Sequence, residues 1–241
     1  TSANSINFGR ILPQMVYYVY AYSQLCEKGE EIVICVPSGN FGNALGCDYA
    51  RRMGLPVKRL IMPTNENDEF PGFLKSGQYE KVSPSRACLS NAMNVGHPSN
   101  LARFFELYGG TVDRTGRVHR SPDLDEMRRR IFSVSISDAM TKNCIRKAYD
   151  TYGLILEPHG AVGWRGLEIY LEREGDFPLC VSLETAHPAK FPDEIIELLN
   201  IAPDVPESMR GLEARKGEPI ELTGDYGEFR EYLEDTLQTE E

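Results

Sequence analysis

The chain has 241 residues, of which 41% are hydrophobic, so it is long enough for one large α/β domain with or without a smaller appendage. Its formal net charge of -10 and its isoelectric point near 5.0 argue against nucleic acid or an anionic membrane as a partner, because either would repel the surface. No apolar run approaches the roughly 20 residues of a membrane-spanning helix. The sequence therefore favours a soluble, cytoplasmic protein. Its six cysteines form no Cys-x-x-Cys pair and no regular framework, which predicts buried, reduced thiols.

The first predicted elements form a β-α-β unit. A tyrosine-rich helix over 11–25 is expected to be largely buried. A strand follows at 31–36, where an uninterrupted apolar run is typical of a parallel strand covered on both faces. A helix at about 43–53 and a second strand over 57–62 complete the unit.

The later part of the chain continues the alternation of strands and helices. From about 64 to 120, many Asn, Ser, Gly and Pro residues predict an insertion, with short helices near 70–75 and 98–108. Beyond it the sequence predicts, in chain order, a helix near 124–130, a strand at 132–134, a helix at 137–151, a strand at 154–156, a helix after Pro158 and a strand at 179–183. Such alternation implies an α/β fold with a doubly wound, mainly parallel sheet. We therefore expect one large domain over 1–201 and a C-terminal tail over 202–241, whose acidic end is solvated or frayed.

The turn Pro-Ser-Gly-Asn-Phe-Gly-Asn at 37–43 is the strongest candidate for a binding element. Gly39 and Gly42 allow backbone φ angles that are closed to other residues, and they let a ligand approach the main chain. The first N–H groups of the following helix have no partner within the helix, so an anion such as phosphate fits there. A glycine turn between a strand and a helix is also common without a ligand. The residues of the turn alone leave both alternatives open.

Two further loops, 157–163 and 184–191, follow predicted strands. Because ligands bind beyond the carboxyl ends of the strands in such a sheet, we expect these loops and the glycine turn to share one crevice. The loops offer a hydroxyl group at Thr185 and imidazoles at His159 and His187. The two histidines lack the spacing of metal ligands, so we expect no metal and a structural role for both.

Five ordered motifs resemble those of the threonine synthase family. None would suffice alone, but together they span about 190 positions of the chain and are specific as a set. The motifs are, in chain order, Ser-Ala-Asn-Ser-Ile-Asn at 2–7 with Arg10, Pro-Ser-Gly-Asn-Phe-Gly-Asn at 37–43, Thr-Asn-Glu-Asn-Asp at 64–68, Glu-Pro-His-Gly-Ala-Val-Gly at 157–163 and Thr-Ala-His-Pro-Ala-Lys-Phe at 185–191.

The resemblance implies a pyridoxal-phosphate (PLP) enzyme with the tryptophan synthase β-like fold, which converts O-phosphohomoserine and water to threonine and phosphate. It implies that the glycine turn binds the cofactor phosphate and that a hydroxyl group faces the pyridine nitrogen. It also implies an N-terminal segment that grips the substrate phosphate, where an arginine can form a bidentate pair. The residues that match the cofactor-binding positions are Gly39, Asn40, Phe41, Gly42, Asn43 and Thr185. Those that match the substrate-binding positions are Ser5, Asn7, Arg10 and Asn40.

The sequence departs from the family in one respect. Members of the family bind the cofactor aldehyde as a Schiff base to a lysine in an N-terminal Ser-Phe-Lys-Asp type segment, and these 241 residues contain no such segment. Lys190 follows Thr185 on the pyridine side, so we expect it to be structural. The chain thus resembles the C-terminal half of a threonine synthase, and Thr1 agrees with the removal of an upstream part. We expect a missing N-terminal half as partner, no turnover by the chain alone, and self-association through the surface that this half would cover.

Three alternatives remain beside this interpretation. A non-catalytic homologue that binds a phosphorylated metabolite or a protein partner would account for the missing lysine. A nucleotide-binding module needs an acidic residue after the second strand to hold a ribose, and Met62-Pro63-Thr64 provides none. Another PLP-dependent eliminase or dehydratase of the same fold would act on an unphosphorylated substrate, against which the Ser-Ile-Asn segment with Arg10 argues.

Overall fold

The computed structural model describes residues 7–175, 178–212, 214, 215, 217 and 220–238, in two compact units, one ending at Asp204 and one beginning at Val205. The helices are α1 (Phe8–Ile11), α2 (Met15–Leu25), α3 (Gly42–Arg52), α4 (Glu69–Ser76), α5 (Leu101–Leu107), α6 (Leu124–Arg130), α7 (Asp138–Tyr152), α8 (Pro158–Glu174), α9 (Pro192–Leu199) and α10 (Tyr226–Gln238). Short 3-10 helices cover Leu12–Gln14, Asn91–Met93, Pro188–Lys190 and Glu207–Met209. The strands are β1 (Ile32–Cys35), β2 (Val57–Ile61), β3 (Thr111–Val112), β4 (Val118–Arg120), β5 (Ile131–Phe132) and β6 (Cys180–Ser182).

A parallel sheet with the strand order β5-β2-β1-β6 lies at the centre of the first unit. Ile34 of β1 pairs with Leu60 of β2 on one side and with Val181 of β6 on the other. The α/β fold with a mainly parallel sheet is therefore as the sequence predicts. A separate antiparallel pair, β3 with β4, lies in the insertion.

Both faces of β1 are covered by helices. Ile32 and Ile34 belong to the cluster that includes α3, whereas Val33 and Cys35 pack with Tyr170 of α8 on the opposite face. All four β1 side chains are fully buried. This burial on both faces explains why the strand is apolar without alternation, and each large aliphatic side chain contributes about 1.5 to 3 kcal/mol.

Two elements differ from the prediction. The strand expected over 154–156 is absent from this described stretch, because Leu156 packs into a cluster with α7, α8 and α9 rather than beside a sheet strand. The strand expected over 132–134 is shorter and earlier, at β5, and a parallel bridge between Thr64 and Ser135 extends the pairing beyond it.

The tyrosine-rich helix forms as α1, a 3-10 turn and α2, but the expectation that it is largely buried is wrong. In α2, Met15 and Tyr18 are buried. They pack with the core, while several apolar side chains on another face stay exposed. The helix therefore contacts its own unit through one narrow side.

The insertion is packed onto the main core. Phe70 and Phe73 of α4 and Phe104 and Phe105 of α5 are all buried in the same cluster as Ile32 and Ile34. Ring centroids of Phe73 and Phe105 lie 4.9 Å apart in a stacked arrangement. Aromatic burial of this size makes the insertion part of the main core rather than a peripheral loop.

No disulfide links cysteines in the described residues, and the cysteines at positions 35, 47, 88 and 144 are buried, which agrees with the predicted reduced thiols. In the described part of the chain, no helix is both long enough and apolar enough to cross a bilayer.

Candidate functional site

A cavity of about 550 Å³ lies at the carboxyl ends of β1 and β6. It is surrounded by the glycine turn at 37–43, by the loops 157–163 and 184–191, and by α1. This volume lies in the range of small-molecule sites. The lining includes the whole glycine turn, Arg10, His159 and Thr185, so the structure brings together residues separated by up to 175 positions. The full lining is Arg10, Gln14, Pro37, Ser38, Gly39, Asn40, Phe41, Gly42, Asn43, Ala44, Asn91, Ala92, Met93, His159, Thr185, Ala186, Lys190 and Phe191.

The backbone of the glycine turn differs from the expectation. Neither Gly39 nor Gly42 has a positive φ; the left-handed residue of the turn is Phe41, at φ 64° and ψ 4°. A bulky residue in this region is an outlier that its surroundings must hold in place. The ring of Phe41 does so, since it packs edge-on against Phe70 at 5.0 Å and against Phe104 at 6.0 Å between centroids. The insertion therefore fixes the conformation of the turn.

The turn presents backbone N–H donors to the cavity. Ser38 donates its N–H to Pro63, but within the described chain no hydrogen bond is made by the N–H groups of residues 39–44. The first turn of α3 also has no side-chain cap. A row of unpaired N–H groups at a helix N-terminus is the arrangement that binds a phosphate.

Position 39 requires glycine because neighbouring residues leave no room for a Cβ atom, and not because of its φ angle. A Cβ atom on Gly39 would lie 2.9 Å from Cα of Met93 and 3.0 Å from the carbonyl oxygen of Ala92. The 3-10 helix Asn91–Met93 thus packs directly against the turn and forms one wall of the cavity. This wall was missed by the sequence analysis, because the residues of the insertion carry no local signal for a tertiary contact.

A buried histidine connects this wall to α8. The N–H of Ala92 donates to Nε2 of His159 at 3.1 Å, so the proton lies on Nδ1, which donates to Oε2 of Glu157 at 2.6 Å. Glu157 is fully buried and also accepts the N–H groups of His159 and Gly160 as the N-cap of α8. His159 is therefore a neutral, fully bonded side chain, which agrees with the structural role expected for it.

Two asparagine side chains of the turn keep their amide groups for a ligand. Oδ1 of Asn40 accepts hydrogen bonds from the N–H of Ser99 at 2.9 Å and from its hydroxyl at 3.1 Å. The Tyr18 hydroxyl shares its single hydrogen between Oδ1 of Asn43 and the Asn43 carbonyl oxygen, which lies at 2.8 Å. Because the oxygens are committed to the protein, each Nδ2 group remains as a donor beside the cavity, and both suit an anion.

The N-terminal candidates lie at the start of α1. Asn7 is the N-cap of α1 and accepts the N–H of Gly9 at 2.9 Å. Arg10 is exposed, lines the cavity, and has no ion pair with a described residue. Ser5, the other candidate of this motif, lies outside the described residues.

The C-terminal candidates lie on the loop after β6. Thr185 is exposed and lines both the main cavity and an adjoining one of about 620 Å³, which it shares with Arg10. Lys190 also lines the main cavity, within the 3-10 helix Pro188–Lys190. His187 caps that helix by accepting the N–H of Ala189 at 3.1 Å, which again is a structural role.

Glu184 is an ionisable neighbour of Thr185 that the sequence analysis did not single out. It lines the adjoining cavity, and an added Cβ on Gly160 would meet its Oε1 at 2.0 Å. Desolvation by the surrounding protein, with the Glu157 carboxylate nearby, raises the pKa of Glu184 to about 8, although the residue as a whole stays exposed. The raised pKa reduces the negative charge that this side chain places beside an anion site at neutral pH.

The motif at 64–68 holds the insertion in place. Asn65 and Asn67 are both buried, and Nδ2 of Asn65 donates to Oδ1 of Asn94 at 2.9 Å. Nδ2 of Asn67 donates to Oδ1 of Asn65 at 2.9 Å and to the carbonyl of Arg86 at 3.0 Å. These bonds anchor the segment 86–94, and with it the wall that contacts the glycine turn.

Comparisons with known proteins agree with the resemblance of the motifs. A family model described as "Threonine synthase, C-terminal" matches residues 160–233. The threonine synthase of Haemophilus influenzae is 38% identical over 237 residues, which cover 96% of this chain and 51% of that protein.

Solved structures show the same correspondence. A PLP-bound threonine synthase from Brucella melitensis superposes with a TM-score of 0.82 and 29% identity, over 98% of this chain and 52% of that one. The Escherichia coli threonine synthase gives a TM-score of 0.80 and 32% identity, over 98% of this chain and 51% of that one. By these comparisons the chain matches the C-terminal half of threonine synthases, and it spans about half the length of these relatives.

Proposed function

We infer that the chain provides the phosphate-binding side of a PLP-dependent threonine synthase, which converts O-phosphohomoserine and water to threonine and phosphate. The observation that carries this proposal is the meeting of Arg10, the glycine turn and Thr185 around one cavity. Two phosphate groups would need two sets of donors, which we assign to the N–H groups of the glycine turn and to Arg10.

The residues present fit the cofactor. The unpaired N–H groups of 39–44 and the Nδ2 group of Asn43 would hold its phosphate. The hydroxyl of Thr185 would pair with the pyridine nitrogen at the other end of the ring. When bound, PLP supplies an electron sink for the carbon atoms of an amino-acid substrate. A hydroxyl partner does not enforce a protonated pyridine, so it moderates that sink and favours elimination toward the γ carbon.

The substrate phosphate would bind at Arg10, with Asn7 and Ser5 from the same motif and the Nδ2 group of Asn40 from the turn. A guanidinium group can bind two phosphate oxygens at once, which fixes the orientation of the leaving group. Because the same arginine holds the phosphate before and after it leaves, it stabilises the charge that develops as the C–O bond breaks.

The 241 residues contain no segment like the one in which the family carries its aldehyde-binding lysine. Lys190 follows Thr185 in the motif that we assign to the pyridine end of the cofactor. We therefore do not assign the aldehyde-binding role to Lys190. We therefore expect the chain alone to bind PLP without turnover, and turnover to require a polypeptide that supplies this lysine.

The test compares ligands that differ only in the phosphate. Isothermal titration of the chain with PLP and with pyridoxal should show at least about tenfold tighter binding of PLP, because the turn binds the phosphate. Equal affinities would contradict the proposal. For the substrate, Arg10→Ala should weaken O-phosphohomoserine binding in a two-half complex, while Arg114→Ala, a change at an exposed arginine outside the cavity, should not. A dehydratase would be insensitive to Arg10→Ala.

A further inference from the structure

A separate cavity of about 380 Å³ lies along β5, at one edge of the described sheet. We call it the β5 pocket and define it by five of its lining residues, Arg59, Lys75, Arg128, Phe132 and Arg173. Among the described residues, none lines both this pocket and either of the two cavities of the candidate site. Because β5 and β6 lie at opposite edges of the sheet, the β5 pocket is a site of its own.

The β5 pocket is lined by side chains of a single charge sign. Four cations surround it, one each from β2, α4, α6 and α8, and within the described chain no carboxylate lines it. The cations are Arg59, Lys75, Arg128 and Arg173. This concentration of positive charge contrasts with the formal net charge of -10 of the whole chain. Like charges around a small volume repel each other, and an anion between them would relieve the repulsion.

Hydrogen bonds to main-chain carbonyls hold two of these cations in place. Arg128 donates to the carbonyl oxygens of Leu74 at 2.7 Å and of Lys75 at 3.1 Å, in the last turn of α4. Arg59 donates from Nη1 to the carbonyl oxygen of Arg129, at the end of α6. A carbonyl oxygen carries no formal charge, so both guanidinium groups are positioned without being neutralised.

Much of the donor capacity around the β5 pocket is unused by the described chain. Nε of Arg59 is buried and has no hydrogen-bond partner among the described residues. Lys75 and Arg173 form no ion pair with any described carboxylate. Asp125 lies 3.7 Å from Arg128, but its side chain is 82% exposed, so this pair neutralises little of the charge.

The free edge of β5 adds neutral donors to the same pocket. The carbonyl groups of Phe132 and Val134 accept hydrogen bonds from the β2 side of the sheet. Backbone groups alternate in direction along an extended strand, so the N–H groups of Ser133 and Ser135 point to the other side. Neither N–H group makes a hydrogen bond within the described residues, and both serines line the pocket. Backbone donors beside guanidinium groups suit anionic oxygens.

One cation is held in a plane that favours binding of two oxygens at once. The guanidinium carbon of Arg173 lies 5.3 Å from the ring centroid of Phe132. Stacking on an aromatic ring fixes the orientation of the guanidinium group and leaves the N–H groups at its edge available. A guanidinium group presented in this way can form a bidentate pair with a phosphate or a carboxylate.

We propose that the β5 pocket binds a small anion that carries two or more negative charges on phosphate or carboxylate oxygens. Its volume lies at the lower end of the range for small-molecule sites, which fits such a compact ligand. The bound anion would connect α4 of the insertion with β5 and α8, and would stabilise the folded chain by mass action. The inference goes beyond the proposed function, since the residues of the β5 pocket take no part in the candidate PLP site.

The experiment measures how fast Lys75 is acetylated in the full 241-residue chain, by mass spectrometry at constant ionic strength. The two probes are inorganic pyrophosphate and citrate, which carry several charges on phosphate and on carboxylate oxygens. The rate at Lys75 reports binding near that residue, so anions bound at the glycine turn do not contribute. At about ten times its Kd, a bound probe should slow acetylation of Lys75 about tenfold. Lys28, exposed ahead of β1, is the internal control and should react at an unchanged rate.

A variant shows whether the protection comes from the β5 pocket. Lys75 also borders a neighbouring cavity of about 930 Å³, whereas Arg173 lines the β5 pocket and not that one. Arg173→Ala should therefore raise the probe concentration for half-protection of Lys75 at least about tenfold. Arg173→Lys keeps the charge without the planar fork and should give an intermediate value. Arg114→Ala, the matched control, removes an exposed arginine outside the pocket and should give the wild-type value. Circular dichroism of each variant checks folding.

The two probes separate the possible ligand classes. Protection by pyrophosphate alone assigns the pocket to phosphate groups, protection by citrate alone assigns it to carboxylates, and protection by both assigns it to either class; each of these results supports the proposal. The proposal is overturned if neither probe protects Lys75, if Lys28 is protected equally, or if Arg173→Ala leaves the half-protection concentration unchanged.

Discussion

His159 accepts a hydrogen bond from the backbone N–H of Ala92, 67 positions earlier in the chain, and so joins the start of α8 to the wall that packs against the glycine turn. The imidazole is held on its other side by the fully buried Glu157. Through this link, the glycine turn, the 3-10 helix Asn91–Met93 and the start of α8 form one connected arrangement around the cavity.

Replacing His159 by Ala should destabilise the chain by about 2 to 4 kcal/mol. The change removes one hydrogen-bond donor from the buried Glu157 carboxylate and the acceptor of the Ala92 N–H. Urea unfolding at pH 7 measures this change. His119, exposed and paired with Asp113 at the surface, is the matched control, and His119→Ala should change the free energy of unfolding by less than about 1 kcal/mol. Similar losses in the two variants would contradict the role given to His159.

Replacing Gly39 by Ala should weaken PLP binding, because the new methyl group would push the Ala92–Met93 wall away from the turn. Overpacking of this kind costs about 1 to 3 kcal/mol of stability. Gly72→Ala is the control: this glycine lies inside α4, where an added Cβ meets nothing within 4 Å, so alanine should be neutral or stabilising by up to about 1 kcal/mol. PLP titration and thermal unfolding of both variants give the comparison.

Tyr18→Phe should lower stability by about 1 to 2 kcal/mol, because the Tyr18 hydroxyl is buried and donates to Asn43. Release of the Asn43 side chain should also weaken PLP binding. Tyr20→Phe makes the same chemical change two residues later at an exposed position, so both quantities should stay at their wild-type values. A Tyr18→Phe chain with unchanged PLP affinity would show that Asn43 does not depend on this bond.

Burial raises the pKa of Glu69 to about 8, and its Oε2 atom is buried with no hydrogen-bond partner among the described residues. The folded chain therefore holds a proton that the unfolded chain releases above about pH 4.5. The contribution of Glu69 to stability is fully present below that pH and is lost as the pH rises through 8.

In the Glu69→Gln chain the side chain at position 69 stays neutral at every pH. Between about pH 5 and pH 8.5 the free energy of unfolding of this variant should therefore fall less than that of the wild type, by on the order of 2 to 4 kcal/mol. Urea unfolding at the two pH values measures the difference. Exposed Glu174, changed to Gln, is the control; parallel pH curves for the Glu69→Gln chain and the wild type would refute the prediction.

Much of the site was predictable because its residues follow strands in the sequence. The apolar run of β1 predicts burial on both faces, and Gly39, Asn40 and Thr185 then fall at the carboxyl edge of the sheet by chain order alone. The exposure of Val16 and Tyr20 was not predictable, since periodicity shows that a helix has an apolar face but not whether the same chain covers it. The strand expected around Leu156 failed for a similar reason, because a short apolar run fits either a sheet or a cluster between helices.

The sequence by itself determined the strand-turn-helix pattern, the five motifs and the family that these motifs resemble, since these depend on local backbone preferences and on residue identity. Only the tertiary structure decided that Phe41, and not a glycine, takes the left-handed position, because the rings of Phe70 and Phe104 compensate its strain. The tertiary structure also decided that Ala92 and Met93 form the wall beside Gly39. Contacts between residues more than 50 positions apart depend on how the insertion packs, and no local pattern in the sequence encodes that packing.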